Sequence, residues 1–221
     1  MKNLLVDISP EHYENFAIEG TSRWNAYLKQ RILDEVKKVT SVKKQLLDAG
    51  MGTGHMLFEL RECHELDNYH FNGIDIDARM INFCQQKIAL HSVQQKVSVR
   101  EGNVSALPYE DRTFSLIYAR SVIHHWAEPK KGLQELYRVL DQGGVIIIHE
   151  PLANAEEKAL RLFNEERAKC GIANMSTEEK YTVEQINELL ISCQTSDIEY
   201  DVLLGTGIAA LGCEVLIKRK G

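Results

Sequence analysis

Leu46-Leu47-Asp48-Ala49-Gly50-Met51-Gly52-Thr53-Gly54 is the stretch on which the fold turns. It closes a strand-like run, Val42 to Gly50, and opens onto a helix predicted around His55 to Leu66. Glycines at alternate positions let a strand turn abruptly into a helix, and they admit ligand atoms where a Cβ would collide. The spacing decides between ligands. A dinucleotide fingerprint, G-x-G-x-x-G, counted from Gly50 would place its third glycine where His55 stands, whereas here it arrives one place early at Gly54. No G-K-[ST] ending of a phosphate-binding loop follows either. Asp48 would oppose a pyrophosphate and favour an ammonium, so the loop suits a nucleoside that carries a cationic amino-acid portion.

Working outward, strand and helix patterns alternate. Phe71 to Ile76 reads as a second strand and Ala78 to His91 as a helix with Ile81, Cys84 and Ile88 on one side. Lys96 to Glu101, Thr113 to Ala119 and Val145 to Glu150 are three more strands; Leu133, Leu136, Tyr137 and Leu140 form a helix face, with Gly143-Gly144 as its expected stop. Upstream, Trp24, Tyr27, Leu28, Ile32, Val36 and Val39 recur at spacings of three and four and predict an amphipathic helix. After Pro151 come a charged helix over Ala155 to Lys169 and a capping box, Thr182 with Gln185, ahead of Ile186, Leu189 and Leu190. Ser196 to Leu204 and Leu211 to Arg219 are joined by six residues, too few for a helical crossover, so they are expected to form a hairpin. The pattern predicts an α/β fold whose mostly parallel sheet is covered on both faces and binds at the carboxyl ends of its strands.

Asp75, at the end of the second strand, is placed to accept hydrogen bonds from two ribose hydroxyls. Asp77 reads as the cap of the following helix. At 221 residues the chain fits one domain, and its formal charge of -6 offers no attraction to a nucleic-acid backbone. No stretch reaches the length of a membrane span, the first residues lack a secretory apolar region, and Cys63, Cys84, Cys170, Cys193 and Cys213 show no paired spacing. A cytoplasmic protein with reduced cysteines is expected.

Taken together, these motifs resemble the class I S-adenosylmethionine-dependent methyltransferases, in the small-molecule branch that includes the ubiquinone and menaquinone biosynthesis methyltransferases. The likeness spans roughly Val42 to Glu150: the first motif at Leu46 to Gly54, the acidic residue at Asp75, an adenine-side segment at Glu101 to Tyr109, a fourth-strand segment at Phe114 to Trp126, and a helix-turn-strand at Leu133 to Glu150. It implies a Rossmann-like seven-stranded sheet, mostly parallel with an antiparallel C-terminal strand, and S-adenosylmethionine as cofactor. It also implies a single domain over 1–221, with a helical lid at 1–40 and a helical cap at 151–195 at the acceptor site. The cofactor residues expected are Tyr13, Arg23, Asp48, Gly50, Gly52, Gly54, Asp75, Ile76, Asn103, Val104 and Arg120, with Trp24 a further lid candidate. Arg23 is assigned to the cofactor carboxylate, for which a guanidinium offers two parallel donors. Asn103 departs from the family, which often has aspartate there; its carbonyl can still accept the adenine amino group.

Methyl transfer to a phenol, enol or carbon acid requires removal of a proton, so a base is sought near the cavity mouth. His124 and His125 follow the fourth strand and titrate in the right range, while Glu150 after the fifth strand could orient an acceptor amine or hydroxyl. His149 also approaches the mouth. No H-x-x-x-H or H-E-x-x-H spacing is present, and no metal is expected. The partner expected is a small-molecule methyl acceptor with an N, O or C nucleophile, the chain acting as monomer or homodimer. The competing readings are a noncatalytic S-adenosylmethionine sensor and an NAD-dependent oxidoreductase.

Overall fold

In the computed structural model, which describes residues 8–221, seven strands form one sheet in the order β3-β2-β1-β4-β5-β7-β6. Helices α1 (Pro10–Asn15) and α2 (Ser22–Val36) precede β1 (Gln45–Ala49), joined to each other by a widened helical turn, Phe16–Gly20. Then come α3 (His55–Arg61), β2 (His70–Asp75), α4 (Ala78–Leu90), β3 (Val97–Glu101), β4 (Phe114–Arg120), α5 (Pro129–Val139) and β5 (Leu140–Pro151). The last elements are α6 (Glu157–Lys169), α7 (Val183–Cys193), β6 (Ile198–Leu204) and β7 (Gly212–Arg219). β1 to β5 pair in parallel, and β7 runs antiparallel between β5 and β6. The expected fold is the one observed, including the hairpin of the last two strands.

The sheet is buried on both faces because its strands alternate apolar side chains into two separate cores. Leu47, Ile117, Ile146 and Ile148 face Leu133 and Leu136 of α5 and Ile186 and Leu190 of α7. Leu46, Leu116, Val145 and Ile147 face Leu28 and Ile32 of α2, Leu57 and Leu60 of α3, and Ile81, Cys84 and Ile88 of α4. This explains the uninterrupted Val145 to Ile148 run: each isoleucine fills one core or the other. A third cluster, Phe16, Trp24, Ala159, Phe163 and Leu211, ties the N-terminal segment to α6. The capping box at Thr182 and Gln185 is formed, and Asp77 caps α4 by accepting from the Arg79 N–H at 2.9 Å.

Several boundaries differ from expectation, and α3 ends at Arg61, short of Leu66. α5 ends at Val139 and Leu140 already pairs with Phe114, so Gly143-Gly144 lies inside β5, where the register shifts between Phe114 and Leu116. The reason is contact: Gly143, at φ +70, lies so close to Thr40 that a Cβ would overlap the threonine hydroxyl, while its carbonyl accepts from the Thr40 N–H at 3.1 Å. α2 stops at Val36, and Tyr27 lies on its exposed side rather than on the face with Trp24, Leu28 and Ile32.

Candidate functional site

A cavity of about 540 Å³ opens at the carboxyl ends of β1, β2 and β4, a size typical of small-ligand sites. β1 lies between β2 and β4, so chain crossovers leave it in opposite directions and a crevice forms outside its end. The glycine loop is its floor. Gly50, Gly52 and Gly54 all have positive φ, at +89, +55 and +73. The loop is fastened to β2 by the N–H groups of Gly50 and Met51, which donate to the Ile74 carbonyl at 2.9 and 3.0 Å. At Gly52 the need for glycine is double, because a Cβ there would sit 2.8 Å from Cε1 of Tyr13 on a backbone that L-residues rarely adopt.

Tyr13 is brought over this loop by α1. Glu14 pairs with Lys87 of α4 at 2.5 Å, and His12 Nε2 lies 2.6 Å from the Cys170 carbonyl at the end of α6. Burial raises the Tyr13 phenol pKa, Arg120 opposing. Asp48 is buried, lines the cavity and accepts from the Tyr118 hydroxyl at 2.6 Å. Burial drives its pKa up to about 7 even though that hydrogen bond favours the ionised form. Asp75 accepts from the backbone N–H of Gly52 at 2.8 Å and of Asp77 at 2.9 Å, one on each oxygen. Burial raises its pKa too, and those two bonds hold it back. Each oxygen retains a second acceptor direction for a ligand hydroxyl.

Ile76 and Val104 line the cavity, Ile76 half-exposed at its rim and Val104 buried. Asn103 lines it as well, but its side-chain carbonyl already accepts from the Ser105 N–H at 2.9 Å and caps the turn Val104–Ala106, leaving one lone pair on that oxygen and the amide NH2 for a ligand. Arg120, at the end of β4, is the cation beside Asp48 and Tyr13, and burial lowers its pKa against the pull of both. It makes no ion pair with any described carboxylate, so its donors remain available to an anion.

Three expectations are corrected here. Arg23 is exposed near the start of α2, off the cavity wall, because the buried face of that helix belongs to Trp24, Asn25 and Leu28. Trp24 is a packing residue: it meets Phe163 edge-on at 4.9 Å and donates from Nε1 to the Ile208 carbonyl at 2.9 Å. Glu150 does not present its carboxylate to an acceptor in this cavity. It is buried and accepts from the backbone N–H groups of Val122, Ile123 and His124 at 3.1 to 3.3 Å and from Nδ1 of His124. His149, expected near the mouth, lines a second cavity that shares Arg120, Ser121, Phe163 and Met175 with the first, and it pairs with Glu214 at 2.9 Å, which also receives Arg31 of α2.

Of the two histidines, His125 is half-buried and lines the cavity; its ring lies 4.0 Å from that of His124. His124 is buried and lies between Glu150 and a residue the sequence did not single out. Its Nε2 is 2.6 Å from the ammonium of Lys180, which lines the cavity. With Nδ1–H given to Glu150, Nε2 is left as an acceptor for Lys180. Arg167 of α6 also lines the cavity and was likewise missed. Both stand in polar stretches with no motif around them, so only the folded chain reveals them. Among the described residues no group of three His, Cys, Asp or Glu side chains is arranged to hold a metal.

With this geometry in view, comparisons place the chain. Residues 40–201 match the family described as a methyltransferase domain. The demethylmenaquinone methyltransferase of Bacteroides fragilis is 33% identical over 107 residues, 48% of this chain and 43% of that one. The ajmaline N-methyltransferase of Rauvolfia serpentina is 27% identical over 118 residues, 52% of this chain and 40% of that one. The chain thus aligns with less than half the length of these curated relatives. A crystal structure of a SAM-dependent methyltransferase from Aquifex aeolicus superposes with a TM-score of 0.68 over 96% of this chain and 98% of that one, at 19% identity, which speaks for the fold. A glycine loop of this spacing, an acidic residue after β2, an antiparallel β7 inside the sheet and the match over 40–201 agree: the chain belongs to the methyltransferase-domain family.

Proposed function

We propose that the chain binds S-adenosylmethionine and transfers its methyl group to an N, O or C nucleophile of a small molecule, releasing S-adenosylhomocysteine. The observation that carries this reading is the set of groups around one cavity: Asp75 for two hydroxyls, Asp48 for an ammonium, and Arg120 without a counter-ion for a carboxylate. Those are the three polar demands of the cofactor's nucleoside and amino-acid parts, and Ile76 and Val104 supply apolar walls for its base. When bound, the cofactor supplies an electrophilic methyl on a sulfonium. The residues of this chain then hold, orient and exclude water, which for bimolecular transfer is most of the catalytic task.

A small-molecule acceptor is supported by the acceptors named for the relatives. We assign residues 1–40 as a lid and 151–195 as a cap: Tyr13 and Phe16 from the first, and Phe163, Arg167 and Lys180 from the second, line the same cavity. Residues 1–7 of that lid lie outside the described part. The five cysteines are unpaired, which suits the reducing cytoplasm, and among the described residues no helix is long and apolar enough to cross a membrane. Isothermal titration with S-adenosylmethionine, S-adenosylhomocysteine and NADH tests the reading. Binding of the first two without the third supports it. Folded, ligand-free protein that binds neither sulfur nucleoside overturns it.

A further inference from the structure

The cavity wall holds more positive charge than the cofactor would use. Its cations are Arg120, Arg167 and Lys180; Asp48, Asp75, Asp77 and Glu179 are its carboxylates. Asp77 is paired with Arg79 at 2.6 Å, Asp75 is held by backbone N–H groups, and Asp48 lies beside Arg120. Glu179 is exposed at the rim and makes no ion pair with Lys180. The cofactor's single carboxylate would take Arg120. Arg167 and Lys180 then face the same space with no ion pair to a carboxylate among the described residues.

Neither cation is idle surface charge. The Arg167 guanidinium lies over Phe16 and Phe163 alike, 5.5 and 5.6 Å from their ring centres, and its Nε donates to the Ala173 carbonyl at 2.5 Å. Burial lowers its pKa, with only the Tyr13 phenol pulling the other way. Lys180 is half-buried and held on His124, which is itself held by Glu150. That tautomer makes Nε2 an acceptor and Glu150 a buried negative charge behind it, so the wall is built to keep an ammonium at this point. Burial and Arg167 lower the Lys180 pKa, while Glu150 and Glu179 raise it. A partly desolvated cation lacking an acidic partner is costly, and an anion supplied from outside removes that cost.

Building on the methyltransferase reading, we infer that the methyl acceptor is a small molecule bearing a carboxylate or comparable anionic group, held by Arg167 and Lys180, with an apolar body against Phe163 and Met175. Arg167 provides the planar fork that a carboxylate matches, and Lys180 the point charge that sets its place beside His124. An acceptor whose only ionised group is an amine would meet two cations and the sulfonium.

The test is isothermal titration of the full chain, first with S-adenosylhomocysteine and then, in the loaded state, with benzoate, 2-naphthoate and hexanoate, each compared with its own carboxamide. Charge-assisted hydrogen bonds predict that at least one acid binds roughly ten-fold or more tightly than its amide. Arg167→Gln and Lys180→Met are each expected to reduce that preference, with S-adenosylhomocysteine affinity reporting that the variants are folded. Acids that bind no better than their amides, or a preference that survives in the double variant, overturn the inference. A chain that prefers the acids without binding S-adenosylhomocysteine overturns the cofactor reading alone.

Discussion

On the proposed reading, Asp48 is expected to make cofactor binding depend on pH in a calculable way. In the free protein its carboxyl is lifted from an ordinary 3.8 to about 7 because it is buried, which corresponds to about 4 kcal/mol of disfavoured charge. A raised folded value in an acid means that the ionised form is opposed, so this group's contribution to the stability of the free protein declines as pH rises from about 4 toward 7. An ammonium brought beside it favours the ionised form and pulls the value back down. Binding below pH 7 must therefore release a proton. Affinity for S-adenosylhomocysteine is expected to climb up to about ten-fold per pH unit and level off near 7, so that pH 5.5 is roughly thirty-fold weaker than the plateau. The assay is isothermal titration between pH 5.5 and 7.5 in two buffers of different ionisation enthalpy, which counts protons released. Asp48→Asn should flatten the profile and lower its plateau. Equal affinities at the two ends of the range, or an unchanged slope in D48N, would refute the reasoning.

Three further outcomes are expected. Gly52→Ala forces a Cβ against Tyr13 at φ +55, costs about 1–2 kcal/mol in backbone strain alone, and should weaken S-adenosylhomocysteine binding; calorimetry that finds wild-type affinity argues against the cradle. Glu150→Ala strips the buried acceptor from three backbone N–H groups and from His124, and urea melts should show a loss of about 3–5 kcal/mol; wild-type stability would count against its anchoring role. Burial alone would raise the Glu214 pKa, but the bonds from His149 and Arg31 bring it down to about 2. Its folded value therefore lies below the ordinary 4.5, and up to about 3 kcal/mol of stability, present above pH 4.5, is lost as pH falls toward 2. Arg31→Met should blunt that acid loss in pH-dependent denaturation, and an unaltered acid limb would contradict it.

The sheet and the glycine-loop wall of the cavity were legible because they obey local rules. Strand-ending glycines, an acid after β2, Asp77 as a cap and the Thr182 box each act within a few residues of themselves. The opposite wall, around His124 and Lys180, obeys no such rule. Glu150 and His124 are 26 positions apart and His124 and Lys180 56, so no spacing announces the chain they form. Arg23 was assigned to a carboxylate for the two parallel donors of its guanidinium, yet one step along a helix from buried Trp24 turns a side chain by about 100°, enough to send it to solvent. Gly143 shows the same limit: a glycine pair reads as a helix stop, and only the presence of Thr40 explains why the pair belongs inside a strand.

The place of β7 has a consequence for the order in which the chain can assemble. β6 pairs with β7 alone, and β7 joins it to β5. Residues 198–204 therefore leave the ribosome before the only strand that can receive them, and wait through 212–219 for a neighbour. The parallel part of the sheet can collapse onto its helices first, while β5 keeps one edge unsatisfied. β7 meets β6 locally, as a hairpin, but it meets β5 through partners such as Ile147 and Leu216 that lie far apart in sequence, so filling that edge is the long-range step of building the sheet.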